Sequence, residues 1–221
     1  MRDHPIPSVT EPLQYRAIGI VRGIYSPKDP NQFTRGRLLG LDGSDLEAVV
    51  LGRVLNLMRR HVEIDRPHLW VVYPRCRQAD QLHLQIAGIW EPSTLGENNS
   101  SESDFSSKDE SSRSFDQLNE GDDYFSIRGE LIYTRADDDD LVVKIRQKRK
   151  ADGSRPLPFK LNIKGKIPFD YLRHFVSLEV RRIGQKLHLE DFSVIEPMST
   201  RGGAKRAGKP ANLDRDNRHR R

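Results

Sequence analysis

The chain has 221 residues, of which 35% are hydrophobic and 31% charged, and its 37 Lys and Arg against 32 Asp and Glu leave a net charge of +5. So low an apolar fraction matches folded parts mixed with solvated ones rather than one wholly compact unit, and the length allows one large module or two small ones. The single cysteine, Cys76, excludes an intrachain disulfide or a cysteine-rich zinc centre, and there is no apolar run long enough to span a membrane or lead secretion, so a cytoplasmic, reducing home is expected.

Residues 1–13 read as a flexible N-terminus. The stretch "YRAIGIVRGIYSP" (15–27) is rich in Ile, Val and Tyr, and its glycines at 19 and 23 suggest a coiled or bent strand. "FTRGRLLGL" (33–41), the Asp42-Gly43 turn signal and "DLEAVVL" (45–51) read as a hairpin. The period then changes: Val54, Leu57, Met58, His61 and Val62 follow helical spacing, ended by Pro67. "HLWVVYP" (68–74) and "LHLQIAGIWEP" (82–92) supply two further strands. Tyr15, Tyr25, Trp70, Tyr73 and Trp90 share strands with aliphatic residues and are expected mainly in the core. Outward candidates on these strands are Arg16, Arg22, Arg35 and Arg37.

Residues 93–123 carry 2 basic and 9 acidic side chains among many Ser and Asn, the composition of a disordered acidic linker. The second half repeats the plan: "YFSIRGELIYTR" (124–135), a polar turn "ADDDD" (136–140), "LVVKIRQKR" (141–149), "FKLNIKGKI" (159–167), a short stub "DYLRHF" (170–175), "VSLEVRRIG" (176–184) and "LHLEDFSVI" (187–195). The tail, 198–221, has 8 basic and 2 acidic residues and no core-forming pattern, so it reads as a disordered basic extension.

Five strands with a helix between the third and fourth is the element order of the OB fold, a small Greek-key barrel suited to oligonucleotides or oligosaccharides. The expectation is therefore a mainly β protein: an OB-like barrel over 14–92 with a helix between strands 3 and 4, a disordered linker over 93–123, and a second OB-like barrel over 124–197. The phrases "YRAIGIVRGIYSP", "PHLWVVYPR", "DYFSIRGE" and "VVKIRQ" span both halves, and through them the chain resembles a family of cyanobacterial proteins. None of these phrases is a motif with known chemistry, so the resemblance implies a lineage and no biochemical role.

Alternation sorts the faces. In the second barrel Leu141, Val143 and Ile145 point one way and Lys144, Arg146 and Lys148 the other. Phe159, Leu161 and Ile163 likewise oppose Lys160, Lys164 and Lys166, and Val176, Leu178 and Val180 oppose Arg181. A small barrel fills its interior with side chains, which puts Lys144, Arg146, Lys148, Lys160, Lys164, Lys166 and Arg181 on the outer surface. A row of cations there relieves the mutual repulsion of phosphates along a nucleic-acid backbone and releases its counterions. Lysine also blunts exposed sheet edges, so no one of these residues carries the case alone. The set, with the basic tail, points to a non-enzymatic protein that binds RNA or single-stranded DNA, mainly through its backbone. A docking module for a protein or ribonucleoprotein partner is the alternative, and the acidic linker could fold back on the basic surface.

Other chemistry is not encoded in recognisable form. Four consecutive aspartates repel one another and point to both sides, so a solvated turn suits them better than a metal site. The seven histidines form no close-spaced ligand pair, and neither a phosphate loop nor a nucleophile elbow is present. No cofactor and no membrane partner is expected.

Overall fold

The computed structural model describes residues 4–76, 81–91, 118–135 and 137–198. Most of the expected linker and nearly all of the expected tail lie outside the described residues. The elements are β1 (Arg16–Asp29), β2 (Gln32–Gly40), β3 (Asp45–Val50), α1 (Gly52–His61), β4 (His68–Cys76), β5 (Leu82–Ile89), β6 (Tyr124–Arg135), β7 (Asp138–Ile145), β8 (Phe159–Lys164), a 3-10 turn (Phe169–Tyr171), β9 (His174–Ile183) and β10 (Lys186–Pro197).

The ten strands make one hydrogen-bonded sheet in the order β2-β3-β5-β4-β1-β6-β7-β8-β10-β9, and the extra pairings β2–β1 and β6–β9 roll each end into a closed five-stranded barrel. In the first barrel β3 and β5 run parallel, and in the second β8 and β10 do, through His188 and Lys164. Both barrels are OB folds. The helix stands between the third and fourth strands of the first, and the 3-10 turn takes the same place in the second.

The local chemistry explains these elements. Gly43 takes φ +77°, which an L side chain resists, and lets Ser44 close the β2–β3 turn onto Gly40 (2.8 Å). On α1, Val54 and Met58 lie four residues apart on one face and are buried in the first barrel's core. Tyr25 and Trp70, expected in the core, are buried there at 6.1 Å between ring centroids. Trp70 also donates its indole N–H to the Gly23 carbonyl at 2.9 Å.

Two boundaries depart from the sequence reading. The acidic turn is shorter than expected, because Asp138–Asp140 belong to β7, where Asp140 pairs in register with Lys164. At its other end β7 stops at Ile145, opposite Phe159, so Arg146 and Lys148 leave the strand and enter the 146–158 loop. That loop turns back at Gly153 (φ +79°) and passes Pro156 and Pro158, which have no N–H for a ladder.

The barrels are not merely tethered by a linker. Antiparallel β1–β6 pairing from Arg16↔Arg128 through Ala17↔Ile127 and Ile18↔Ser126 to Gly19↔Phe125 fuses them. Glycine at 19 is what lets Phe125 lie across its partner strand, since a Cβ there would overlap the ring. The buried apolar residues consequently form one cluster running through both barrels, from Val21 and Trp70 to Phe125, Ile127 and Leu178. A second cluster, Ile6 with Ile18, Ile20 and Leu69, covers the other face of the seam. Residues 4–13, which fall in the end read from sequence as flexible, thus run along the seam: the Pro7 and Pro12 carbonyls accept from Arg16 and Arg128, each at 2.6 Å.

A buried arginine ties the barrels a second time. Arg182 of β9, whose side chain is 0% exposed, donates to Asp123 (2.7 Å), to Asp42 in the β2–β3 turn (3.0 Å) and to the Gly184 carbonyl (2.8 Å). Burial works against ionised Asp42, but the bonds from Arg182 and Ser44 outweigh it and hold its carboxyl well below the ordinary range. Asp123 shares the same arginine yet is pushed upward, because its deeper burial wins over that attraction. Removing one partner of a buried ion pair leaves the others uncompensated. Arg182→Met is expected to lower the unfolding free energy by roughly 3 kcal/mol in chemical denaturation; a loss under about 0.5 kcal/mol, the range of ordinary surface changes, would contradict the clamp.

Candidate nucleic-acid interface

The structure sends the residues read from sequence to three places. Their strands alternate as expected: Leu141, Val143, Leu161 and Ile163 are buried and Lys160 is exposed. The charges, however, are unequally free.

At one end of β7 and β8, Lys164 meets Asp140 at 2.5 Å and Lys166 meets Asp139 at 3.1 Å. The acidic run, being partly strand, thus lies beside the basic one and neutralises it. Arg181 is also committed, to Glu190 (2.6 Å) and to the carbonyls of Glu120 and Asp122 (2.9 and 2.8 Å). It braces the chain leading into β6.

In the middle stands Glu130 of β6, only 2% exposed in its side chain. Lys144 donates to it at 2.8 Å, while Arg173 and Arg146 stand 3.2 and 3.6 Å away. One carboxylate therefore gathers three cations. Lys144 and Lys160 face each other across the β7–β8 ladder, and Glu130 offsets a repulsion that like charges so placed would suffer.

The third place is a groove of about 680 Å³ where the barrels meet. The N-terminal segment and the start of β1 form one wall, the end of β4 another, and the 146–159 loop with Phe159 the third. Its charged lining is five cations, Arg16, Arg75, Arg146, Lys148 and Lys150, against one carboxylate, Glu11. Arg146 and Lys148 reach this groove because β7 ends before them. Arg75 of β4 lies over the Phe159 ring at 3.9 Å from its centroid, and Arg146 over Tyr15 at 5.7 Å, so each cation–ring contact crosses from one barrel to the other.

The arginines around the groove are held at an electrostatic cost. Arg16 and Arg128 face each other directly in the seam ladder. Burial lowers the pKa of Arg16, Arg75 and Arg128, and for Arg16 the Arg128 charge lowers it further. Their hydrogen bonds go to neutral acceptors: backbone carbonyls for all three, and the Ser126 and Ser177 hydroxyls for Arg16 and Arg128. Among the described residues none of the three has a carboxylate partner. Desolvated cations without counterions make a surface that gains from receiving an anion.

Arg146 and Lys148 are legible in the sequence as surface cations, whereas the gathering of Arg16, Arg75, Tyr15, Tyr73 and Phe159 around them is not. Arg75 sits in a strand of the first half and Phe159 in one of the second, and no local pattern marks their meeting. No helix among the described residues is long and apolar enough to cross a membrane, and no group of three or more His, Cys, Asp or Glu is placed to hold a metal there.

Comparison with known proteins bears on both halves. Residues 17–97 match the family model described as PatR RNA-binding protein, N-terminal OB-fold domain, and residues 127–196 match the cyanobacterial OB-fold-like RNA-binding domain, C-terminal. No curated protein matches the chain. Among solved structures, a murine DNA-binding protein bound to double-stranded DNA aligns with 83% of this chain and 99% of its own at 9% identity, with a TM-score of 0.19, too low to support any inference.

Glu130 gives this site its own test. Glu130→Gln leaves Lys144, Arg146 and Arg173 facing one another without their shared counterion. Denaturant unfolding is expected to show a loss of about 1 kcal/mol, because the cations left behind are partly exposed and can turn to solvent. Unchanged stability would mean the three cations do not depend on that carboxylate.

Proposed function

Because the chain belongs to this cyanobacterial OB-fold family, we propose that it binds nucleic acid, RNA above all, as a binding protein rather than an enzyme. One observation carries the reading: the half-buried arginines that line the groove, Arg16 and Arg75, have neutral partners only among the described residues. A polyanion supplies the charge they lack, and phosphates along a backbone are spaced to meet several at once.

The seven residues read from sequence divide in the proposal according to how free their charges are. Arg146, Lys148 and Lys160 are exposed and contact phosphates directly. Lys144, tied to Glu130, adds positive potential at shorter reach. Lys164, Lys166 and Arg181, each paired with a carboxylate, contribute least. Tyr15 and Phe159, as aromatic neighbours of the arginines, join the same surface.

The test is fluorescence anisotropy with a single-stranded RNA over a series of salt concentrations. About four phosphate contacts give a slope of log K on log salt near −3. Charge reversal at Arg146 and Lys148 together is expected to weaken binding to all sequences and to flatten that slope by about 1.4. Reversal at Lys164 is expected to do much less. A slope near zero in the wild type, or an Arg146/Lys148 variant that binds as the wild type does, would contradict the reading.

A further inference from the structure

The basic groove also has aromatic walls, and charge alone does not use them. Tyr15, Tyr73 and Phe159 are all half-buried there and come from both barrels. The Tyr15 ring is fixed edge-on against Phe175, with centroids 5.0 Å apart and planes at 85°. Phe159 is fixed at its β7 partner Ile145 and carries the Arg75 guanidinium over its face. Rings held this way lose little freedom on meeting a ligand, and a guanidinium on a ring makes a flat, cationic surface of the kind on which a nucleobase stacks.

Two polar atoms at the same place lack a partner among the described residues: the Tyr15 hydroxyl and Nε of Arg16 are buried and make no hydrogen bond there. Both residues line the groove, and buried polar groups are ordinarily satisfied. The cover over Tyr15 is Arg146, whose side chain is 53% exposed and 3.6 Å from Glu130, so it is held loosely. The groove's volume lies within the range of about 300–1,000 Å³ that small-molecule sites occupy.

We propose that this inter-barrel groove is a single-strand site: it takes an unpaired nucleotide whose base stacks on the Phe159–Arg75 pair and beside Tyr15, while Arg16, Lys148 and Lys150 meet the flanking phosphates. The proposal rests on the nucleic-acid reading above and adds that the strand is unpaired where it is bound. In a duplex the bases are stacked on one another and their faces are not offered to protein rings. The site is built from the first barrel's β1 and β4 and the second barrel's loop after β7, so neither barrel holds it alone.

The experiment measures binding of the full chain, by anisotropy, to three labelled probes of about a dozen nucleotides: oligouridine RNA, oligothymidine DNA and a blunt RNA duplex. Phe159→Leu keeps an apolar contact with the core but removes the ring, and Arg75→Gln removes the stacked cation; a thermal melt confirms that each variant is folded. The single strands are expected to bind at least about tenfold more tightly than the duplex. Each variant is expected to weaken single-strand binding by about 5- to 150-fold, and Phe159→Leu to do so without altering the salt slope. Equal affinity for the two single strands assigns the site to base and phosphate chemistry common to both, and preference for oligouridine assigns it to RNA. A duplex bound as tightly as the single strands, or a Phe159→Leu chain that binds like the wild type, would overturn the groove and leave the nucleic-acid reading standing. No binding to any of the three probes would end both.

Discussion

The antiparallel β1–β6 ladder is the constraint on which the rest of this molecule depends. A small barrel closes its own sheet and leaves little edge for a neighbour. Here β1 and β6 each serve their own barrel and then pair with each other, which requires a point where a large side chain of one strand can lie over the other. Gly19 provides it, and the Phe125 ring fills the space where a side chain would have stood. Apolar burial then runs without interruption through both barrels, so the seam is part of the core rather than a contact between two finished surfaces. The Arg182 clamp and the strap of residues 4–15 fix the same junction from opposite sides.

This junction also decides where charge is left unbalanced. Away from it, four of the second barrel's cations have found an acid: Lys164 and Lys166 the β7 aspartates, Arg181 Glu190, and Lys144 the buried Glu130. At the junction Arg16 and Arg128 are forced opposite each other, and Arg75 lies on Phe159 with its hydrogen bond to a neighbouring carbonyl. Among the described residues the groove is therefore lined by arginines, Arg16 and Arg75, that no carboxylate answers. That is a stronger basis for a binding surface than a count of exposed lysines, because surface ion pairs add little while desolvated, uncompensated charge is costly.

Much of the fold could be read from the residues in order. Period-two alternation marked β7, β8 and β9, apolar β-forming runs bounded by turn signals marked the strands of the first barrel, and the shift to helical spacing at Val54 and Met58 marked α1. These signals are local, and the barrel core enforces them. Boundaries were harder at β7, because an aspartate run looks like a turn until Lys164 is placed beside Asp140. The inter-barrel ladder was not readable at all: nothing in "RAIG" or "FSIR" distinguishes pairing with β4 or β9 from pairing with each other. For the same reason the burial of Ser126, Arg128 and Glu130 was not readable, since it comes from strands on both sides of β6. Of the site, sequence supplied Arg146 and Lys148, and tertiary structure supplied the rings and arginines around them.

The central claim is that both barrels form one binding surface across their seam. Amide chemical-shift mapping of the full chain, titrated with a single-stranded RNA oligonucleotide, tests it most directly. Signals from Tyr15 to Ala17, from Tyr73 and Arg75, and from Arg146 to Lys150 and Phe159 are expected to move together with one midpoint. Movement confined to the second barrel, or two sets of residues titrating at different midpoints, would contradict it.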